Sequence, residues 1–393
     1  MQPRRSLDRR EFLAQGAALG AAAAAASAAQ ARPAGAVEPA KKVRVGVIGC
    51  GSVSRKYLPN LSACPFVELV STCDIIPERA EQAAAKFKIP NHYPNIEAML
   101  AGAPFDLMVT LTDMQEHGRL NKQAVEAGRH VWSEKPLANS YAEGKALLEH
   151  AKQKGVRIWG APAVVTSPQF AEMARLIRDG ALGHVAAAHA TYGHLGPTWS
   201  AFFYEKLGGS MPDLGVYNLT TLTGLLGPAK AVVALTGIIT PARTVDNKGK
   251  IRVEAEDNTM VMLDHGKGTF SHVQCGFNFF DPHGHDGSEL ERHSISIVGK
   301  AGLMELVGYD WAPHGVDLAT LDQPAPKRFC TESQGWVWEQ GAAVIAECLA
   351  TGKEPLITVE HALHIVEVIE AARTSGETGR RVELTSSFKY PLV

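Results

Sequence analysis

A short glycine pattern near the start of the sequence is the first feature that indicates a particular chemistry. Gly49, Gly51 and Ser54 form G-x-G-x-x-S directly after an apolar run, and Asp74 follows 23 residues after Gly51. In a strand–turn–helix unit, the first glycine makes the tight turn and the second lets a pyrophosphate approach the helix N-terminal amides. An acidic residue at the end of the next strand, here Asp74, holds both ribose hydroxyls and therefore favours NAD. Arg79, one helical turn further along, leaves NADP possible. The predicted dinucleotide contacts in this unit are Gly49, Gly51, Ser52, Val53 and Asp74.

Three polar side chains further along the chain could carry proton chemistry. Oxidising an alcohol requires a group that removes the hydroxyl proton while hydride leaves. Tyr217 could do this through its phenolate if the ammonium of Lys135 lowers its pKa. Asp213 precedes Tyr217 by four residues, so on a helix both would project from one face. The same residues can also be interpreted as a helix cap, Asp213, and a core tyrosine.

Alternating strands and helices are predicted to position these residues. Apolar β-branched runs predict strands, and the runs between them have helical periodicity. The predicted strands are 43–48, 67–73, 105–111, 129–133 and 156–160, with helices over 115–127 and 140–154. This alternation predicts an α/β fold with a parallel sheet, whose ligands lie beyond the carboxyl ends of the strands. Thr112, His117, Glu134 and Lys135 fall at those ends and are predicted cofactor contacts.

Three motifs in a fixed order carry a resemblance to a known family. They are the glycine pattern, the E-K-P tripeptide 134–136 and the stretch G-G-x-x-x-D-x-G-x-Y at 208–217. Together they resemble the Gfo/Idh/MocA family of sugar and cyclitol oxidoreductases over residues 42–385. The resemblance implies that Lys135 lies near the nicotinamide and the substrate, and that Asp213 and Tyr217 face the substrate. Tyrosine in place of histidine at 217 is similar to the glucose–fructose oxidoreductase and dihydrodiol dehydrogenase branches.

The family resemblance also implies the domain organisation. It predicts a Rossmann domain over 42–162 and, over 163–393, an α/β domain whose open, mostly antiparallel sheet often mediates homo-oligomer contacts. The chain departs from relatives at 112–117, where Asp113 replaces a proline, and at 161–165, so the substrate cannot be carried over. His194 and Trp199 flank a Gly/Pro loop and are candidate sugar contacts, because sugar sites favour aromatic platforms with polar neighbours.

The first 31 residues are predicted to be an export signal rather than part of the fold. Four arginines precede a run from Phe12 to Ala31 without charged residues, which ends in the A-x-A pattern 29–31. This is the pattern of a secretory signal, and its alanines make a stable membrane span a poor alternative. Arg9 and Arg10 resemble the twin-arginine (Tat) motif, which implies the Tat machinery as a partner and a periplasmic or secreted enzyme. Residues 32–41 are predicted to be a linker.

Composition excludes several classes of protein. The 393 residues include 39 basic and 41 acidic side chains, and without residues 1–31 the net charge is −4, so no nucleic-acid partner is predicted. The six cysteines include no C-x-x-C pair, and folding before export predicts free thiols. His283 and His285 have H-x-H spacing, but no third ligand follows at diagnostic spacing, so no metal is predicted.

Export constrains the mechanism, because free NAD is scarce outside the cytoplasm. The cofactor is therefore predicted to travel tightly bound and to be regenerated in place. One hypothesis is a hydride-transferring oxidoreductase that acts on a sugar or cyclitol. A second is a NAD-dependent glycosidase that works by transient oxidation and elimination. A third is a sugar-binding protein without catalysis, and the presence of Lys135, Asp213 and Tyr217 counts against it.

Overall fold

A computed structural model describes residues 42–281 and 291–393. The predicted signal peptide, the linker to residue 41, and the His283 and His285 pair therefore lie outside the described residues. No helix among the described residues is long and apolar enough to cross a membrane. Within 42–281 and 291–393, no group of three or more His, Cys, Asp or Glu side chains is arranged to hold a metal ion.

Six parallel strands form the first sheet. They are β1 (Val43–Ile48), β2 (Val67–Cys73), β3 (Asn91–Tyr93), β4 (Leu107–Thr110), β5 (His130–Ser133) and β6 (Ile158–Gly160). Their order in the sheet is β3-β2-β1-β4-β5-β6. The connecting helices are α1 (Ser54–Ala63), α2 (Pro77–Phe87), α3 (Ile96–Ala101), α4 (His117–Glu126) and α5 (Tyr141–Lys154). The order reverses between β1 and β4, which creates the crevice where ligands bind in such sheets.

The predicted Rossmann elements agree with the structure, with small differences at their ends. Strands β1 and β2 begin and end at the predicted residues, and β4, β5 and β6 are shorter than predicted. The helix predicted from residue 115 begins as a 3-10 turn over Met114–Glu116 before α4 starts. Ser140 accepts a hydrogen bond from the amide of Glu143 and caps α5, so the helix itself starts one residue later than predicted.

The second half of the chain builds a nine-stranded sheet. Its strands are β7 (Val185–Gly193), β8 (Ala231–Gly237), β11 (Asn258–Gly266), β12 (Thr269–Gly276), β13 (His293–Gly299), β14 (Gly302–Tyr309), β15 (Ala312–Thr320), β16 (Lys327–Phe329) and β17 (Val382–Glu383). A separate ribbon pairs β9 (Ala242–Val245) with β10 (Gly249–Arg252). The sheet order is β16-β15-β14-β13-β7-β12-β11-β8-β17, and only the pairing of β7 with β12 is parallel. This is the mostly antiparallel α/β arrangement that the family resemblance implies.

Four helices complete this half of the chain: α6 (Pro168–Arg178), α7 (Val216–Leu226), α8 (Gly341–Thr351) and α9 (Val359–Thr378). Helix α9 packs on β8 of the second sheet and also on α5 and β6 of the first. Helix α8 returns to the first sheet and packs on α1, β1 and β2. A Cβ at Gly341 would lie only 2.3 Å from the Trp132 ring, so glycine permits this close approach. Late elements thus cover the first sheet, while the boundary at residue 162 stays a prediction.

Candidate active site

The glycine turn has the shape that a dinucleotide requires. Gly49 has a φ of +92°, and a Cβ there would lie 2.5 Å from the carbonyl carbon of Leu111. Only glycine fits this position without strain. A Cβ at Gly51 would meet no atom within 4 Å, so the backbone is open to a ligand on that side. Helix α1 also starts without a side-chain cap, and the amides of the turn that precedes it can bind an anion.

Asp74 lies at the carboxyl end of β2, beside this turn. It is buried, and its two carboxylate oxygens accept hydrogen bonds from the backbone amides of Cys50 (2.7 Å) and Ile76 (2.8 Å). These bonds fix the carboxylate at the turn and leave further lone pairs for ribose hydroxyls. Ser54, in the third motif position, is buried and donates to the carbonyl of Gly51 (2.7 Å). Ser52 and Val53 form the turn into α1, so these residues fit an NAD molecule.

Lys135 and Asp213 come together from the two halves of the chain. The Lys135 Nζ lies 2.7 Å from Asp213 Oδ1 and 2.7 Å from the Asp213 carbonyl oxygen. Both side chains are only slightly exposed, 11% and 13%. Asp213 therefore pairs with a cation and does not cap a helix, and its part in proton chemistry stays a prediction. Among the described residues nothing donates to Asp213 Oδ2, so that oxygen can accept from a ligand.

Tyr217 lies next to this ion pair, with its ring centre 5.2 Å from the Lys135 Nζ. The expectation that Lys135 lowers the pKa of Tyr217 is not supported. Burial raises the pKa of Tyr217 well above its usual value, and the charge of Glu134, the neighbouring Tyr192 and the charge of Asp213 raise it further. The ammonium is committed to Asp213, so Tyr217 stays a neutral phenol. Its hydroxyl makes no hydrogen bond to any residue that the structure describes, and it can donate to a ligand.

A π-helical turn over Met211–Gly215 gives Asp213 its position. The sequence predicts a regular helix through Asp213 and Tyr217, but the turn ends at Gly215 and α7 begins at the next residue. A Cβ at Gly215 would lie 2.9 Å from the sulfur of Cys275 on β12, so glycine lets the turn lie against the sheet. π-helical turns are rare and are frequent at functional sites. Here the turn carries the carboxylate toward Lys135.

Glu134 is buried one residue before the lysine and is held by neutral donors. Its Oε1 accepts from the Tyr57 hydroxyl at 2.7 Å, and its Oε2 accepts from the backbone amide of Lys135 at 2.9 Å. His117 links the same loop to β4, with Nδ1 2.8 Å from the Pro136 carbonyl and Nε2 3.1 Å from the Thr112 carbonyl. Both ring nitrogens face carbonyl oxygens, which only accept hydrogen bonds, and burial lowers the pKa of His117, so the neutral ring donates to one of the two. Contact of Thr112 and His117 with the cofactor stays a prediction.

His194 and Trp199 pack among aromatic side chains of the second half of the chain. His194 is half-buried, and its ring centre is 6.3 Å from that of Tyr192, which in turn lies 6.2 Å from Tyr217. Trp199 is 49% exposed and packs edge-on against Phe203 at 5.2 Å. Their role as sugar contacts stays a prediction.

Sequence reasoning missed two buried residues beside Tyr217. Tyr192 on β7 packs against the Tyr217 ring, and no motif marks it. Asp310, in the turn between β14 and β15, accepts hydrogen bonds from Asn218 Nδ2 (3.0 Å) and the Thr221 hydroxyl (3.1 Å) of helix α7. Burial raises the pKa of Asp310 to about 6. The only available signal was the alternation of β7, which places residue 192 on the same face as Ala188 and Ala190 of the core.

Comparison with known proteins identifies the fold that holds this site. A model of the NAD-binding Rossmann fold of the oxidoreductase family matches residues 43–161, and a model of the GFO/IDH/MocA C-terminal domain matches residues 170–305. The chain belongs to the Gfo/Idh/MocA oxidoreductase family. The two matches include the glycine turn and Asp74 in one domain, and Asp213 and Tyr217 in the other. The resemblance inferred from the three motifs is therefore confirmed at the level of the family.

Relatives in this family match the chain over most of its length. D-apiose dehydrogenase of Paraburkholderia graminis is 26% identical over 357 residues, which is 88% of this chain and 91% of the relative. The scyllo-inositol 2-dehydrogenase (NAD(+)) of Bacillus subtilis is 26% identical over 363 residues, 89% of this chain and 98% of the relative.

Two solved structures show the same fold. Levoglucosan dehydrogenase, in complex with NADH and levoglucosan, has a TM-score of 0.76 at 20% identity and covers 87% of this chain and 99% of its own. The aldose–aldose oxidoreductase of Caulobacter crescentus has a TM-score of 0.74 at 21% identity and covers 88% and 100%.

Proposed function

We propose that this chain is an NAD-dependent oxidoreductase that transfers hydride to or from a hydroxyl-bearing carbon of a sugar or cyclitol. The observation that carries the proposal is the Lys135–Asp213 ion pair beside the Tyr217 ring, because this pair joins the NAD-binding half to the second domain. Relatives named for D-apiose, scyllo-inositol and levoglucosan support a polyhydroxylated substrate. The tyrosine at 217 favours the glucose–fructose oxidoreductase-like branch within the family.

The geometry suggests how the three side chains divide the work. Bound NAD would supply the hydride acceptor for the carbon that carries the reacting hydroxyl. Tyr217 stays protonated and donates to the reacting oxygen, which orients the hydroxyl. Asp213 Oδ2 accepts the hydroxyl proton, and the Lys135 ammonium stabilises the negative charge that develops on the oxygen. In the reverse direction the same pair returns the proton to the carbonyl oxygen.

The experiment that tests this function can begin before any substrate is identified. The purified chain is denatured, and mass analysis of the released small molecules identifies any bound NAD(H) or NADP(H). The protein is then incubated with neutral sugars, cyclitols and aryl glycosides, and nicotinamide absorbance and sugar products are followed. Oxidised or reduced sugar products support the proposal. Release of the aglycone without net redox change would instead identify a glycosidase.

We also propose that the enzyme is exported by the Tat machinery with its cofactor already bound. The support is the arginine-rich start of the chain, together with six cysteines that are all free thiols in the structure. Replacing Arg9 and Arg10 by lysine is expected to keep the protein in the cytoplasm, and cell fractionation measures this. Bound dinucleotide that survives gel filtration would support tight binding, whereas loss of all nucleotide on dilution would contradict it.

A further inference from the structure

The buried carboxylate of Glu134 has an unusual set of partners. Glu134 is only 5% exposed, yet no lysine or arginine side chain pairs with it within residues 42–281 and 291–393. Its two oxygens accept one hydrogen bond each from neutral donors, the Tyr57 hydroxyl and the Lys135 amide. A buried carboxylate is costly unless hydrogen bonds disperse its charge. Each of the two donors therefore matters for where this carboxylate sits.

Tyr57 comes from a distant part of the chain and is completely buried. It lies on helix α1, which starts at the glycine turn, and it is 77 residues from Glu134. The Trp132 Nε1 donates to the Tyr57 hydroxyl at 3.4 Å, and the Trp338 ring packs edge-on against the tyrosine ring at 5.8 Å. The hydroxyl thus has a defined donor and a defined acceptor, and packing fixes the ring.

We infer that Tyr57 is a positioning residue that acts on the catalytic lysine through Glu134. The hydroxyl of Tyr57 holds Glu134 Oε1, Glu134 Oε2 holds the backbone amide of Lys135, and that backbone directs the ammonium to Asp213. The chain of contacts connects the helix of the dinucleotide turn with the proton-transferring pair. It rests on the proposed function, because Lys135 must take part in the reaction for its position to affect the rate.

Replacing Tyr57 by phenylalanine removes one oxygen atom and keeps the ring packing. Glu134 then keeps only the donor at Lys135, so the carboxylate can turn and Lys135 loses its fixed position. We expect kcat to fall about tenfold with KM for the sugar changed less than about threefold, and the pH profile of kcat to shift. We also expect the variants Y57F, E134Q and the double variant to have similar kcat values, because the two residues act in series.

A second measurement does not depend on turnover. Competitive acetylation of the ligand-free protein over a range of pH, read by mass spectrometry, reports the ionisation of each lysine. In Y57F the pH at the midpoint of Lys135 acetylation is expected to move by more than about half a pH unit. The reason is that the Glu134 carboxylate no longer has a fixed position relative to Lys135. Exposed Lys122 on α4 serves as the internal reference and is expected not to move.

The matched control is Tyr93→Phe. The Tyr93 hydroxyl accepts a hydrogen bond from the Ala103 amide at 2.8 Å in the same domain, away from the E-K-P loop. Y93F is expected to lose stability comparably and to keep kcat and the Lys135 midpoint. If Y57F behaves like Y93F in both measurements, Tyr57 is only a packing residue and the inference is wrong. If no sugar is turned over but the Lys135 midpoint moves, the proposed function fails while the positioning role stands.

Discussion

The protonation state of Tyr217 depends on how the charged side chains around it are paired. The ammonium of Lys135 lies 2.7 Å from the Asp213 carboxylate. The negative charge of Asp213 therefore offsets the effect of the ammonium on the pKa of Tyr217. Burial raises the pKa of Tyr217, and the negative charges of Glu134 and Asp213 raise it further. In the proposed mechanism, Tyr217 therefore donates a hydrogen bond through its hydroxyl and does not act as a phenolate. The group that accepts the proton in this mechanism is the Asp213 carboxylate.

Asp310 gives the stability of the protein a pH dependence that can be measured. Burial raises its pKa to about 6 in the folded state, while in the unfolded chain a carboxyl of this type ionises near pH 4. The folded state therefore binds more protons between these values, and stability falls as the pH rises through this window. Replacing Asp310 by asparagine removes this loss. The difference in unfolding free energy between D310N and the parent is expected to grow from pH 4 to pH 7 by at most about 3 kcal/mol.

Calorimetry of both proteins between pH 4 and pH 7 measures this difference. A constant offset between the two proteins only reflects the altered hydrogen bonds to Asn218 and Thr221. The growth of the offset with pH is the predicted signal. A difference that stays flat over the whole range would mean that Asp310 ionises in the folded protein at its ordinary value.

The two glycines of the turn between β1 and α1 meet different requirements. Gly49 allows the backbone conformation, and Gly51 leaves space for the ligand. Gly49→Ala places a Cβ against the Leu111 backbone at a positive φ, so we expect a loss of at least about 2 kcal/mol of stability. Gly51→Ala places its Cβ in open space, so we expect parental stability and weakened NADH binding. Thermal unfolding and NADH fluorescence titration measure the two effects. Equal NADH affinity in G51A and the parent would argue against a pyrophosphate beside Gly51.

The local pattern of apolar residues was enough to predict the strands and helices of the first domain. The contacts that build the site join residues far apart in the chain, and the sequence pattern does not predict them. β1 and β2 were predicted to the residue because their apolar β-branched runs end at glycine and aspartate. The π-helical turn at Asp213 was not predicted, since its sequence has the same periodicity as an ordinary helix start. Tyr57 and Asp310 were missed because their partners lie 77 and 92 residues away, and no motif relates them.

Among the described residues, one face of the nine-stranded sheet presents exposed apolar side chains. Leu235, Met262 and Phe270 project from this face and are 71%, 53% and 54% exposed. Adjacent strands bring them together, because β8 pairs with β11 and β11 pairs with β12. Exposed apolar patches of this kind are typical of surfaces that bind another protein. We propose that a second copy of the chain covers it, as the family resemblance implies.

Light scattering coupled to gel filtration tests this association. The parent protein is expected to be a homo-oligomer, and Met262→Glu, in the middle of the face, is expected to shift it toward the monomer. Leu321→Glu is the matched control, because Leu321 is 77% exposed but lies in the turn that follows β15. A parent protein that is monomeric at all concentrations, or equal effects of the two substitutions, would overturn the proposal.

Helix α8 has a consequence for the order in which the newly synthesised protein can fold. The first sheet ends at Gly160, but the helix that covers Trp132, β1 and β2 begins only at Gly341. On the ribosome, the dinucleotide-binding half therefore emerges with one apolar side uncovered and must wait for the last part of the chain. The first domain can therefore complete its folding only after the whole polypeptide has been synthesised. A nonsense mutation before codon 341 leaves a fragment with exposed apolar surface, which chaperones and proteases would recognise.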